Sequence, residues 1–185
     1  LRTNEVAEDL PVQVVGCKRF RQIVIHSGGE AFFNVVNEIY IAENANFNTF
    51  TFQNQGTQSK QINTTEVLQE ANSNYTATTI TMNTGLVRNN HNVKVVGQGA
   101  ITNLFGLYLT NGKEHVDNHT LIDHIVPNCT SNEFYKGVMN GKSTGVFNGK
   151  VFVRQEAQKT NAFQQNQNIL LSDNASVYSK PELEI

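Results

Sequence analysis

The densest group of side chains that could carry chemistry lies between residues 115 and 129. His115, Asp117, His119 and Asp123 alternate along one run, and Cys129 follows shortly after the last of them. Because alternate side chains of a β-strand project from one face, the first four would lie together on that face. Imidazole, carboxylate and thiolate groups are the ligands that zinc and iron take in proteins.

Two interpretations of this group remain open. The five residues are weak candidates for a metal site, but His124 would point to the opposite face of the strand, and no set of ligands is firm. The favoured alternative is that the Asp and His side chains bond to turns and neighbouring strands, and that Cys129 fills a small buried position. We therefore expect metal binding near neutral pH to be weak or absent.

A second motif, Gly141-Lys142-Ser143-Thr144, is similar to the end of a phosphate-binding loop. That loop needs four residues between its glycines and a helix after it, so that backbone N–H groups surround the phosphates. Here the spacing from Gly137 to Gly141 is one residue too short, and residues 145–151 read as turn and strand, which predicts a corner instead. With no Gly-x-Ser-x-Gly motif either, we expect no catalytic residues and no enzyme activity.

The elements that must position these residues repeat along the chain. Five apolar runs each lead into a polar turn with one small residue, and those residues are Ala45, Ala71, Ala100, Cys129 and Ala157. Their regular spacing, about 26–29 residues, indicates a repeat architecture in which each unit stacks on the next.

The repeats consist of strands, because apolar residues alternate with polar ones on either side of each turn. The chain contains 25 Asn, 17 Thr and 13 Gln, which can form hydrogen-bonded ladders between stacked coils. An Asn/Gln-rich disordered chain is the alternative, and the regular apolar strands disfavour it. The prediction is an all-β, right-handed parallel β-helix with coils of about 26–29 residues, formed by residues 21–185 after a lead-in of residues 1–20.

Charge, apolar run length and cysteine content disfavour a nucleic-acid-binding protein and a membrane-spanning protein. The net charge is −2 and the 14 Lys and Arg residues are scattered, so no nucleic-acid partner is expected. No apolar run reaches the length of a membrane span. Two widely separated cysteines, Cys17 and Cys129, are typical of free thiols in the cytoplasm.

Residues 115–185 resemble the SufB/SufD family of iron–sulfur cluster assembly proteins, and its SufD branch more than SufB. Residues 20–114 match more loosely. The matching segments are His115–His124, Pro127–Ser131, Tyr135–Gly137, Gly145–Val153, Ala157–Ala162, Asn168–Ser172 and Lys180–Ile185.

The resemblance implies a non-catalytic scaffold subunit of the SUF complex. Such proteins have a parallel β-helix flanked by helical regions, and we expect the helical regions to be absent from this chain. They pair with a SufB-like subunit. A SufC-like ABC ATPase docks through a helical region after the β-helix, also missing here. The SufB relative has a cysteine where this chain has Gln167, so we expect no firmly bound cofactor and at most a transient iron–sulfur cluster in the full complex.

Partner contacts are expected at the end of the stack, because unpaired strand edges pair with another chain unless they are capped. Gln167, Ile169, Leu171 and Val177 are the candidate interface residues, facing a SufB-like subunit or, in isolation, a second copy. The alternative function is a β-helix protein that binds or cleaves polysaccharides. That class would need aromatic platforms and a carboxylate-lined groove, whereas this chain has no Trp and scattered acids.

Overall fold

The computed structural model describes residues 12–14, 17–25 and 30–185, with side chains from residue 30 onward. Among these residues no helix is long and apolar enough to cross a membrane. The strands are β1 Val12–Val14, β2 Cys17–Ile25, β3 Phe32–Ile41, β4 Asn46–Asn54, β5 Gly56–Gln69, β6 Asn74–Met82, β7 Thr84–Val95, β8 Ile101–Thr110, β9 His115–His124, β10 Thr130–Met139, β11 Thr144–Val153, β12 Asn161–Leu170 and β13 Ser176–Glu184.

The strands form two parallel sheets. The odd-numbered strands stack in chain order into a seven-stranded sheet, and the even-numbered strands stack into a six-stranded one. The chain therefore winds from one sheet to the other and back in each coil, which confirms the parallel β-helix. Strands β1 and β2 already pair with β3 and β4, so the expected boundary between residues 20 and 21 falls within β2. Residues 1–11, 15 and 16 of the expected lead-in lie outside the described residues.

Coil length can be measured in the seven-stranded sheet, where equivalent residues of successive coils lie side by side. These residues are Phe32, Lys60, Leu86, His115, Thr144 and Ser176. The first four steps of this series have the predicted length. The step from Thr144 to Ser176 is longer, because extra residues lie in the corner between β11 and β12 and in the corner between β12 and β13.

Each described corner that leads into the six-stranded sheet turns at a residue with positive φ: Asn44, Asn72, Gly99, Asn128 and Lys159, with φ between 52° and 72°. Asn and Gly tolerate this left-handed conformation best. The residue that follows packs inside the coil, and in the first four corners it is Ala45, Ser73, Ala100 or Cys129.

This register corrects one predicted position of the repeat. Ser73 is buried in the second corner, whereas Ala71 lies two positions before it and is half-buried. Ser73 also divides the segment between Ala45 and Ala100 more evenly than Ala71 does. Ala157 is buried as predicted, but it precedes Lys159 instead of following it, because its corner is longer.

The interior between the sheets combines apolar residues with a cross-coil amide ladder. Asn63 donates to Asn89 at 2.7 Å, and Asn89 donates to Asn118 at 2.9 Å. Such a ladder forms because identical side chains recur one coil apart in register, and it satisfies polar groups that burial would otherwise leave unpaired. The amide ladders expected from composition are thereby confirmed.

Two tyrosines set the spacing between successive coils of the six-stranded sheet. The ring of Tyr135 covers Gly106, and the ring of Tyr108 covers Gly137. A Cβ atom at Gly106 would lie 2.1 Å from the Tyr135 ring, so only glycine fits there. Both tyrosines are almost fully buried and fix how β8 stacks on β10.

Candidate functional site

The polar cluster of β9 lies on the outer face of the seven-stranded sheet. His115, Asp117, His119 and Asp123 alternate with buried residues, as the strand pattern predicts, while His124 points into the coil. Asp117 Oδ1 lies 2.9 Å from His119 Nε2, and Asp117 Oδ2 accepts a hydrogen bond from Arg88 on the preceding coil at 3.0 Å.

The remaining two candidate ligands, Asp123 and Cys129, have other contacts. Asp123 is held by the Arg154 guanidinium through two hydrogen bonds of 2.9 and 2.8 Å. The thiol of Cys129 is buried in its corner, 3.5 Å from the Gly97 carbonyl oxygen, and burial raises its pKa. No group of three or more His, Cys, Asp or Glu side chains with metal-binding geometry occurs in the described part of the chain. The five candidates therefore divide into an Asp117–His119 pair, an Asp123–Arg154 ion pair, His115 and a buried thiol.

The glycine-lysine motif forms the corner between β10 and β11, as predicted. Gly141 has a φ of 69°, Lys142 is exposed, and strand β11 begins at Thr144. Thr144 N donates to the Glu114 carbonyl oxygen of the coil before at 2.9 Å. The backbone of this segment thus stacks on the preceding corner.

The last coil of this chain presents both edge strands at one end of the stack. Strand β12 is the final strand of the six-stranded sheet, and β13 is the final strand of the seven-stranded sheet. Of the four candidate interface residues, Gln167, Ile169 and Leu171 are exposed, whereas Val177 packs against the core. Ile169 and Leu171 are 58% and 62% exposed, so they contribute little to holding the coil itself together.

Large apolar side chains concentrate at this end. Phe163, Leu170, Tyr178, Leu183 and Ile185 are all exposed there. Together with Ile169 and Leu171 they form the larger part of the exposed large hydrophobic residues in the described chain, although residues 163–185 are a small part of it. A concentration of exposed apolar side chains in one region is typical of interaction sites on proteins.

A buried polar network lies directly beneath the last coil. Glu133 is fully buried, and its Oε2 accepts a hydrogen bond of 2.6 Å from Gln164 of β12. Burial raises the pKa of Glu133, because it disfavours the charged form. Tyr108 donates to Asn168 Oδ1 at 2.6 Å.

Sequence reasoning missed this network. Glu133 belongs to an alternating strand and would face inward by that pattern alone. Its partner Gln164 lies one coil further along the chain, at a separation set by a corner of unusual length. The detectable signal is the alternation itself, which places an acidic residue on a buried face.

Deeper in the stack, the buried Tyr75 and the half-buried His91 line a cavity between the sheets. Tyr75 Oη and His91 Nε2 are 3.0 Å apart. Burial lowers the pKa of His91 to about 4 and raises that of Tyr75, so both groups are neutral near pH 7.

Known proteins similar to this chain share one description. A family model described as "SUF system FeS cluster assembly, SufBD core domain" matches residues 13–185. The iron–sulfur cluster assembly SufBD family protein slr0076 of Synechocystis is 34% identical over 154 residues, which cover 83% of this chain and 34% of that protein. Protein ABCI7, chloroplastic, of Arabidopsis thaliana is 31% identical over 161 residues, covering 84% of this chain and 34% of that protein.

The iron–sulfur cluster assembly protein SufD of Escherichia coli is also similar. It is 31% identical over 100 residues, which cover 54% of this chain and 24% of SufD. The chain thus spans about a third or less of the length of these three relatives.

Proposed function

The chain belongs to the SufBD family, and from that premise we propose that it is a non-catalytic scaffold subunit of the SUF iron–sulfur cluster assembly machinery, on the SufD branch. The observation that carries the proposal is the family match over residues 13–185, which covers every strand but part of the first. In this role the chain works in the cytoplasm with a SufB-like subunit and a SufC-like ABC ATPase.

We propose that the SufB-like subunit pairs with the edge strands β12 and β13. The outer edge of each strand carries backbone N–H and C=O groups without a partner strand in the described part of the chain. A backbone group that is buried without a hydrogen bond costs about 1–3 kcal/mol. A partner strand that forms hydrogen bonds with the edge is therefore more stable than a partner surface that buries the edge without hydrogen bonds. The exposed side chains of Ile169 and Leu171 supply apolar contact beside the edge.

The iron–sulfur cluster is the cargo of this machinery. The β9 carboxylates Asp117 and Asp123 are engaged by Arg88 and Arg154, and Gln167 on the edge strand offers an amide instead of a thiolate. The proposed role of this chain is therefore to shape the paired scaffold and position the partner subunit, with any cluster held transiently in the full complex.

Co-purification with tagged SufB-like and SufC-like subunits tests the proposal. The wild-type chain should be retained, and Leu171→Asp should weaken retention at least about tenfold, equivalent to about 1.4 kcal/mol. Leu121→Asp is the matched control, because Leu121 is an outward-facing leucine of β9, in the middle of the stack. Failure of the wild type to be retained would contradict the scaffold role. Retention of Leu171→Asp at the wild-type level would place the contact on another surface.

A further inference from the structure

The tripeptide Asn-Gly-Lys occurs three times in the chain, at residues 111–113, 140–142 and 148–150. In an Asn-Gly sequence the backbone nitrogen of the glycine can attack the side-chain carbonyl carbon of the asparagine, because glycine has no side chain to hinder the approach. The local sequence is the same in all three copies. Differences in reactivity among them therefore come from the fold around each copy.

The first copy lies in an open corner between β8 and β9, where Asn111 and Gly112 are both exposed. Gly112 has a φ of 62° in a tight turn, which is closed by Glu114 N donating to the Asn111 carbonyl oxygen at 3.1 Å. Among the described residues, Gly112 N donates no backbone hydrogen bond. The neighbouring Gly141 leaves this nitrogen uncovered, since a Cβ atom at Gly141 would lie 2.8 Å from it.

The side chain of Asn111 is also arranged for this attack. Its Oδ1 accepts a hydrogen bond of 3.1 Å from Asn140 Nδ2 on the next coil. A donor in this position stabilises the negative charge that develops on the oxygen when the carbonyl carbon is attacked. The side-chain nitrogen of Asn111, which must leave, has no hydrogen-bond partner in the described part of the chain.

The second copy is more restrained than the first. Asn140 Nδ2, the atom that would have to leave, is held by its hydrogen bond to the first copy. The backbone of this corner is also bonded on both sides. Lys142 N donates to the corner before it at 2.6 Å, and Ser172 Oγ donates to the Gly141 carbonyl oxygen at 2.6 Å.

The third copy lies inside strand β11. Asn148 and Gly149 pair with β9 on one side and with β13 on the other, and Gly149 is buried. The ring closure requires the asparagine backbone to rotate out of its extended conformation, which would break this pairing. The fold therefore makes the first copy the most reactive and the third copy the least reactive.

We propose that Asn111 is a site of spontaneous deamidation in the folded protein, and that it reacts before Asn140 and Asn148. Gly112 N attacks Asn111 Cγ and forms a bond with it. The bond between Cγ and Nδ2 then breaks, and the side-chain nitrogen leaves as ammonia, which carries away the proton of Gly112 N. Water opens the resulting five-membered imide at either carbonyl carbon, which gives aspartate or isoaspartate. Each step is a substitution at a carbonyl carbon, so water is the one co-reactant.

The product changes the chemistry of the corner. A new carboxylate at residue 111 would lie close to Glu114, a buried residue whose Oε2 accepts a hydrogen bond of 2.8 Å from Asn111 N. Two carboxylates at one site repel each other when both are charged. Isoaspartate, in addition, inserts a carbon atom into the main chain of the turn. The modified protein should therefore unfold at a lower urea concentration than the unmodified protein.

Peptide mapping by mass spectrometry during incubation in mildly alkaline buffer tests the proposal. In the folded protein Asn111 should convert to acid faster than Asn140, and at least about tenfold faster than Asn148, whose strand must first open locally. In concentrated urea the three copies should react at similar rates, because only their shared local sequence remains. Equal rates in the folded protein would overturn the proposal, as would a faster reaction at Asn140 or Asn148 than at Asn111.

Asn140→Ala tests the hydrogen bond to Asn111 Oδ1 separately. It should slow the reaction of Asn111 by about two- to tenfold in the folded protein, as expected for the loss of one hydrogen bond, and it should have no effect in urea. A corner that is merely loosened by the substitution would react faster. An unchanged or faster rate would therefore overturn the role given to Asn140.

Asn111→Gln is the matched control, because glutamine keeps the amide group but closes its larger ring far more slowly. The acid product at residue 111 should disappear in this variant, while the rate at Asn148 stays that of the wild type. Acid product that still forms at residue 111 at the wild-type rate would exclude the imide route and overturn the proposal.

Discussion

His124 should make the protein lose stability as the pH falls below about 6.5, the ordinary pKa of a histidine. Its side chain is fully buried, with Nε2 2.9 Å from Ser131 Oγ and no hydrogen-bond partner for Nδ1 among the described residues. Burial lowers the pKa of His124 to about 4, against a weaker opposing effect of the Asp123 carboxylate. The folded state therefore resists protonation that the unfolded chain accepts.

The size of the effect follows from the two pKa values. Above about pH 6.5 the residue is neutral in both states, and its contribution to stability is fully present. Between that pH and about 4 the unfolded state binds more protons, so the free energy of unfolding decreases as the pH falls. At pH 5 the loss amounts to about 2 kcal/mol, since each pKa unit corresponds to about 1.36 kcal/mol.

His124→Gln isolates this contribution. Gln69 is in register with His124, two coils earlier in the stack. It accepts a hydrogen bond from Thr102, which is in register with Ser131, the partner of His124. A glutamine side chain therefore suits the position of His124. Urea unfolding of both proteins at pH 7.5, 6 and 5 gives the difference in unfolding free energy at each pH. That difference should shift by about 2 kcal/mol in favour of the variant between pH 7.5 and pH 5. A difference that stays constant with pH would refute the reasoning, because it would mean that His124 titrates alike in both states.

Two further changes probe the interior. Gly106→Ala should lower the free energy of unfolding by about 1–3 kcal/mol in urea titrations, because the new Cβ would collide with the buried Tyr135 ring; an unchanged midpoint would mean that the coils can shift apart. Because the pKa of Glu133 is raised in the folded state, the free energy of unfolding of the wild type should decrease as the pH rises above about 4.3, the ordinary pKa of a glutamate. Glu133→Gln should lack this decrease. Equal pH profiles for Glu133→Gln and the wild type would show that the carboxyl group titrates normally.

The stacked fold could be predicted from sequence because its signals are local. Alternation placed His115, Asp117 and His119 on one face of the strand and His124 on the other, and the structure shows that the first face is the outer one. The predicted corner position Ala71 was wrong, because alanine is smaller and less polar than the nearby Ser73. Ser73 is nevertheless the buried residue, since its hydroxyl donates a hydrogen bond of 2.5 Å to the Glu70 carbonyl oxygen.

The contents of the interior could not be predicted in the same way. Pairs such as Glu133 with Gln164 and Tyr135 with Gly106 join neighbouring coils and are distant in sequence. These pairings depend on the register, which depends in turn on the length of each corner. Sequence alternation gives the face on which a residue lies, but not the residue above or below it.

The corner between β11 and β12 shows where this fold can change its perimeter. The positive-φ residues that lead into the six-stranded sheet recur at nearly even intervals from Asn44 to Asn128, but the next one, Lys159, follows after a longer interval. The pairing of β10 with β12 is nevertheless unbroken from Thr130–Asn161 to Met139–Leu170. The corner between β11 and β12 thus accommodates added residues without disturbing the pairing of the strands. Insertions in this corner could therefore give rise to new loops, or accept grafted ones, beside the proposed docking end.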